Sequence, residues 1–210
     1  MTEPTLSETI DPRSADRHRA KMAKRKVVQD AEVAGKTVEK GLLIVHTGPG
    51  KGKSTAAFGL ALRMLGYGRS VGVVQFIKGA WHTGEKDAFA AFGDRVQWHS
   101  MGEGFTWETQ DLARDMAAAG RAFEKARELM ADERLSLVVL DELNIALRYE
   151  YLDLAEVIAA LQARRPGLHV VVTGRNAKPE MLAAADLVTE MALVKHHFAA
   201  GVKAQVGIEF

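Results

Sequence analysis

The densest chemistry in this sequence lies in one run, Gly48-Pro49-Gly50-Lys51-Gly52-Lys53-Ser54-Thr55. Three alternating glycines let a backbone curl so that successive N–H groups point inward at an anion. If a helix opens at the end of the run, its first turn adds roughly half a positive charge to the same spot. Lys53 then supplies a full charge to phosphate oxygens, and Ser54 a hydroxyl for Mg²⁺ (or Mn²⁺). The pattern G-x-x-x-x-G-K-[ST] is met at Gly52, Lys53 and Ser54, while Thr47 stands where its first glycine belongs. Gly48 remains free to make the turn. A second pair of candidates, Asp141-Glu142, follows the apolar run Leu137-Val138-Val139-Leu140. Burying two carboxylates without a cation or hydrogen bonds is costly, so at least one of them is expected to reach the metal directly or through water. The alternative is that one merely caps the next helix.

These residues need elements that bring them together, and the pattern from Gly41 onward supplies them. Leu42–Val45, Val71–Ile77, Val96–His99, Leu137–Leu140, Leu168–Val172 and Leu187–Leu193 read as strands. Helical segments fall between them, at about Ala56–Gly66, Thr109–Ala131, Leu154–Ala163 and Pro179–Ala185. Strands that are apolar on both faces and separated by helices imply a parallel sheet covered on both sides, an α/β fold of the phosphate-loop NTPase kind. Ligands of such a sheet bind at the carboxyl ends of its strands. Three further segments fall at that edge: Gln75-Phe76-Ile77-Lys78-Gly79, Gly102-Glu103-Gly104-Phe105-Thr106-Trp107 and Thr173-Gly174-Arg175-Asn176. Taken alone, Phe105 and Trp107 could be packing residues and Arg175 an exposed ion-pair partner.

Composition narrows the class. The 210 residues hold no cysteine, which excludes thiolate zinc sites, iron–sulfur clusters and cysteine nucleophiles. The formal net charge of +1 splits into +3 for residues 1–26 and −2 for the remainder. Attraction of the whole molecule to a polyanion is therefore not its organising principle. No apolar stretch reaches the length of a membrane span. Residues 1–40 read as a basic N-terminal arm ahead of a catalytic domain over 41–210. Arg13, Arg17, Arg19, Lys21, Lys24, Arg25 and Lys26 lie among few large apolar side chains, which suits a disordered or partner-dependent segment. A solvated arm or helix, closure over an active site, and nucleic-acid contact remain open for it, the last disfavoured because no aromatic residues interleave with the charges. The absence of an apolar segment after the basic run, together with Glu3, Glu8, Asp11 and Asp16, argues against an export or mitochondrial leader and for a cytoplasmic protein.

Read in order, His-Thr-Gly-x-Gly-Lys-Gly-Lys-[ST]-Thr-Ala-Ala-x-Gly, Gln-Phe-Ile-Lys-Gly, Gly-Glu-Gly-Phe-Thr-Trp, Asp-Glu-Leu-Asn and Thr-Gly-Arg-Asn resemble the phosphate-loop ATP:corrinoid adenosyltransferases of cobalamin biosynthesis, the cob(I)yrinic acid a,c-diamide adenosyltransferases. The resemblance covers about residues 41–195, with Pro49 where other members often carry Asn. It implies transfer of the 5′-deoxyadenosyl group of ATP to the Co(I) of a corrinoid, with triphosphate leaving and ATP lying reversed in its loop. It also implies roles for individual residues. Phe105 and Trp107 would crowd the lower face of the corrin and favour four-coordinate Co(II), which is easier to reduce. Glu142 would contact the metal ion or the corrinoid, Arg175 the nucleotide phosphates, and Arg63 the nucleotide side of the site. A homodimer and a reduced flavin or flavoprotein as electron donor complete what the family implies. A phosphate-loop ATPase or kinase, in which Glu142 activates water or a hydroxyl, and a nucleotide-dependent binding module are the competing readings. His46 is expected to pack or hydrogen-bond locally, and His196-His197 to belong to the surface or tail.

Overall fold

The computed structural model describes residues 11–77, 79, 83–102 and 111–209. It divides into two compact units, Met1–Glu39 and Lys40–Phe210. The first contains α1 (Pro12–Ala34), opened by Asp11, whose carboxylate accepts from the Arg13 N–H, and by a proline in its first turn. The segment expected to be disordered or partner-dependent is thus helical over Pro12–Ala34 despite its low apolar content, with basic residues along it and the i,i+4 pair Lys26–Asp30 at 2.7 Å.

The second unit is built on one sheet of six parallel strands: β1 (Leu43–Thr47), β2 (Ser70–Gln75), β3 (Val96–Ser100), β4 (Leu135–Asp141), β5 (His169–Thr173) and β6 (Leu187–Glu190). Their order is β3-β2-β4-β5-β1-β6. Strands β1, β2, β4 and β5 are buried along nearly their whole length, as continuous runs of Val, Leu and Ile require when helices cover both faces. Alternate residues serve opposite faces. Ile44, Val71, Val73, Leu137, Val139 and Val171 pack with α2 (Lys53–Gly66) and α3 (Gly84–Ala90). Leu43, Val45, Val138, Leu140, Val170 and Val172 pack on the other face, with α4 (Leu112–Ala131), α5 (Leu143–Arg148), α6 (Leu154–Gln162) and α7 (Pro179–Ala184).

The expected α/β sheet is present, and its details differ from the sequence reading, among them β2, which ends at Gln75 and not at Ile77. The strand expected over Leu187–Leu193 stops at Glu190, because the next residues leave the sheet and run along the glycine-rich loop. Two short helices, α3 and α5, occupy segments to which no periodicity could be assigned at their length of seven and six residues. Among the described residues no helix is long and apolar enough to cross a membrane.

Candidate active site

Because β5 lies between β1 and β4, the carboxyl ends of β1, β5, β4, β2 and β3 form a row, and the described parts of the sequence-marked segments, Gly48–Thr55, Thr173–Asn176, Asp141–Glu142 and Gln75–Ile77, follow the ends of β1, β5, β4 and β2 along it. A cleft of about 480 Å³ opens there, with Gly50–Thr55, Glu142, Ile145, Arg148, Tyr149 and Arg175 among its lining.

The loop after β1 is built by backbone constraints. Gly48 and Gly52 have φ of 96° and 104°, a region that glycine adopts without a side-chain penalty. A Cβ on Gly50 would lie 2.6 Å from the carbonyl oxygens of both Met191 and Ala192. The Gly50 N–H donates to the Met191 carbonyl at 2.7 Å. That donor is therefore directed at the chain after β6 and not into the cleft, which corrects the expectation that the loop's successive N–H groups all face an anion. Helix α2 begins at Gly52 with no side-chain cap, so an anion in the cleft can satisfy its first-turn donors. Lys53 Nζ donates to the Gly48 carbonyl at 2.9 Å and to the Gly50 carbonyl. Burial, then the charges of Arg175 and Lys51, push the Lys53 ammonium below its ordinary value, against an opposing pull from Glu142. With Arg148, four cations line one cleft, an arrangement that a polyanion relieves.

Thr47, the departure from the glycine pattern, is buried, and its hydroxyl accepts from the Ala177 N–H at 3.1 Å. The substitution ties the loop after β5 to the loop after β1, which fixes where Arg175 stands. His46 is buried, and its ring Nδ1 donates to the Lys53 carbonyl at 3.3 Å, the local bond expected of it. Burial lowers its pKa, against an opposing pull from the bond to the Lys53 carbonyl.

Asp141 is fully buried at the end of β4. Its Oδ1 accepts from the Thr173 hydroxyl at 2.8 Å and its Oδ2 from the Gln75 amide at 3.2 Å. With each oxygen engaged by a neutral donor, the carboxylate orients its neighbours. Glu142, the next residue, is at φ 64°, a strained conformation for a non-glycine residue costing about 1–3 kcal/mol. Its N–H donates to Thr173 Oγ1 at 2.9 Å, and its side chain lines the cleft with Ser54. A hydroxyl and a carboxylate facing one cleft are the hard oxygen donors that Mg²⁺ takes. Gly174, φ 131°, is pressed against Asn144, whose Cβ would lie 2.9 Å from an added methyl. The Asn144 amide also donates to the Gly174 carbonyl at 3.3 Å, so α5 is packed on the end of β5 just before Arg175.

Gln75 has a larger part than its sequence motif indicated. Its amide oxygen accepts from the Ser100 hydroxyl at 2.8 Å and the Trp98 indole at 3.2 Å, while its NH₂ reaches Asp141. One buried side chain therefore joins the ends of β2, β3 and β4. Gly102 lies against the backbone of Ile77, 2.3 Å from a Cβ it does not have, so the segment leading to Phe105 starts beside a cleft-lining residue. Phe105 and Trp107 themselves lie outside the described residues. Arg63 is exposed in the last turn of α2, about 15 Å along the helix from Lys53, and does not line the cleft. Arg148 and Tyr149, which do, were invisible to motif reading. The Arg148 guanidinium sits 5.5 Å from the Tyr149 ring, which stacks on Tyr151 at 5.7 Å. Glu209 of the C-terminal segment was also missed and reaches Lys51 at 2.5 Å.

The family model "ATP:corrinoid adenosyltransferase BtuR/CobO/CobP" matches residues 39–210. A second, "Cob(I)alamin adenosyltransferase N terminal", matches residues 6–33, so the arm too has a family counterpart. The chain is similar to a corrinoid adenosyltransferase of Sinorhizobium sp, with 58% identity over 92% of each chain. It is also similar to one of Pseudomonas aeruginosa, with 57% identity over 95% of this chain and 98% of that one. The corrinoid adenosyltransferase CobA of Salmonella typhimurium is 47% identical over 94% of this chain and all of its own length. With its glycine-rich loop, buried carboxylate and cationic cleft in one row of strand ends, the chain belongs to the ATP:corrinoid adenosyltransferase family.

Proposed function

We propose that the cleft holds the triphosphate of ATP for attack by the Co(I) of cob(I)yrinic acid a,c-diamide or a later corrinoid such as cob(I)alamin. In that reaction the cobalt electron pair forms a bond to the 5′ carbon, the bond from that carbon to oxygen breaks, and the triphosphate leaves with its electrons. The observation that carries the reading is the gathering of Lys51, Lys53 and Arg175 around an uncapped helix start. Charge on the departing triphosphate would be met there by donors already in place, and removing one such donor costs about 3 kcal/mol of barrier. Gly48, Pro49, Gly50 and Gly52 shape the loop, while Lys51, Lys53, Ser54, Thr55 and Arg175 bind the nucleotide. Ser54 and Glu142 would hold Mg²⁺, with Asp141 acting through water or by orienting Glu142. The ion would supply further charge neutralisation on the phosphates.

Phe105 and Trp107 form the apolar wall against the corrin, and the anchoring of Gly102 on Ile77 supports a position for that segment beside the cleft. The arm closes over an active site in a homodimer, for which the exposed Leu187 and Val188 of edge strand β6 speak. A reduced flavin or flavoprotein delivers the electron, and the protein works in the cytoplasm. The test is to incubate the protein with ATP, Mg²⁺ and chemically reduced cobyrinic acid diamide or cobalamin, and to identify the phosphate product. Tripolyphosphate with a light-sensitive alkylcobalt spectrum is expected, and the ratio of the two kcat/KM values ranks the corrinoids. ADP with no change in the corrinoid overturns the proposal.

A further inference from the structure

Beyond β6 the chain passes along the glycine-rich loop, where Met191 takes the Gly50 N–H. It then makes a short 3₁₀ turn over His197–Ala200 and returns so that Ile208 and Glu209 line the cleft. Glu209 divides its carboxylate between two groups. Oε2 accepts from Lys51 Nζ at 2.5 Å, and Oε1 lies 3.2 Å from His197 Nε2. The side chain of Glu209 is 17% exposed, against 50% for Lys51. The carboxylate is therefore the sheltered member of the pair, held at the rim of the site facing the loop. The Lys51 bond holds the Glu209 carboxyl below its ordinary range, with His197 and His196 adding to the effect. His196, His197 and Glu209 are close enough together to hold a metal ion, but Lys51 and His197 already engage both Glu209 oxygens, and His196 Nδ1 accepts from the Phe198 N–H at 3.1 Å. Glu209 therefore stands between Lys51 and His197 at the rim of the cleft.

We propose that Glu209 is an intramolecular competitor for the triphosphate. It neutralises Lys51 when the cleft is empty, yields that ammonium to the entering polyanion, and retakes it as the product triphosphate departs. The inference rests on the reading that residues 48–55 hold the triphosphate. A carboxylate resembles a phosphate oxygen pair in charge and in acceptor geometry, but its single charge cannot hold Lys51 against several phosphate charges. The fraction of molecules in which Lys51 is engaged by Glu209 lowers the apparent affinity by the same fraction. For a part-exposed ion pair that factor is about two- to fivefold. The consequence for the reaction is easier release of a polyanionic product from a cleft designed to bind it.

The experiment is calorimetric titration of the full chain with inorganic tripolyphosphate and with ATP, joined to stopped-flow measurement of tripolyphosphate dissociation. Glu209→Gln is expected to tighten tripolyphosphate about two- to fivefold and to slow its dissociation, and Glu209→Ala must shift both in the same direction. In a Lys51→Ala background the Glu209→Gln change is expected to have no effect. Unchanged or weaker binding in both Glu209 variants overturns the proposal, as does equal tightening with and without Lys51, which would mean general repulsion. If the unaltered chain fails to bind tripolyphosphate, the reading of the phosphate site falls as well. Normal binding that ignores the Glu209 variants defeats the competitor alone.

Discussion

At the scale of single residues, the site depends on positions where a side chain is excluded as much as on those where one is required. Gly50 shows this most directly: a methyl group there meets two carbonyl oxygens at 2.6 Å. Gly50→Ala is expected to lower stability by about 1–3 kcal/mol and to weaken ATP binding, measured by urea unfolding and calorimetry; a variant with unchanged ATP affinity would contradict the proposed part of this loop in holding phosphate. Phe105 and Trp107 allow a different kind of test, because a redox role and a binding role separate kinetically. Phe105→Ala with Trp107→Ala is expected to lose much more activity when assayed from Co(II) with a mild reductant than from preformed Co(I). Equal losses in the two assays would remove the proposed redox role. The short strand-end motifs carrying Lys53, Ser54, Glu142 and Arg175 were legible in the sequence, and the fold brings these four residues to one cleft. Arg148, Tyr149 and Glu209 were not, nor were the contacts of Thr47 and Gln75. Their contacts join segments far apart in the chain, and no local spacing records that Thr47 will meet Ala177 or that Lys51 will meet Glu209.

At the scale of elements, hydrophobic runs located β1, β2, β4 and β5, because a strand buried on both faces needs a nearly unbroken apolar sequence, while the half-buried β3 and the exposed β6 were placed by their position in the strand–helix alternation. Their lateral order was not legible. What aligns the strand ends is a set of buried polar contacts, with Gln75 at the centre. Gln75→Leu keeps the volume and removes partners from Trp98, Ser100 and Asp141. It is expected to cost about 2–4 kcal/mol of stability, as for burying polar groups short of a partner. Activity should fall further than stability explains, because Asp141 precedes Glu142; the check is kcat/KM at a temperature where the variant is fully folded. Helices α3 and α5 show the opposite limit. Each is too short for a period of 3.6 to repeat, so tertiary packing and not sequence pattern decides it.

At the scale of the whole molecule, protonation links the two faces of the sheet to pH. His46, His99 and His169 all have pKa values lowered by burial. Below the unfolded value of about 6.5 the unfolded chain binds more protons than the folded one, so stability falls as pH drops from neutrality. His169 Nδ1 accepts from the Leu42 N–H at 3.2 Å, a bond that a protonated ring cannot make. The urea midpoint is expected to decline between pH 7 and pH 5, and His169→Asn, which keeps an acceptor in that place, should flatten the decline. A midpoint constant across that range would refute the linkage. The division into Met1–Glu39 and Lys40–Phe210 predicts that a chain beginning at Lys40 unfolds cooperatively, with a thermal midpoint within about 4 °C of the full chain. Loss of a cooperative transition would show that the arm is part of the core.

The place of β1 in the sheet sets a timetable for synthesis. This strand emerges before the other five, yet its neighbours on both edges, β5 and β6, are the last two made. Met191, which takes the Gly50 N–H, comes later still. During translation the phosphate-binding loop therefore exists for most of the chain's growth as an unpaired apolar strand followed by a loop without its tether. Nucleotide cannot stabilise such a nascent chain by mass action, since the shape it binds is absent until the end. Pairing across so long a sequence separation is slow, and β1 is the segment through which a stalled or truncated product would be drawn into aggregates.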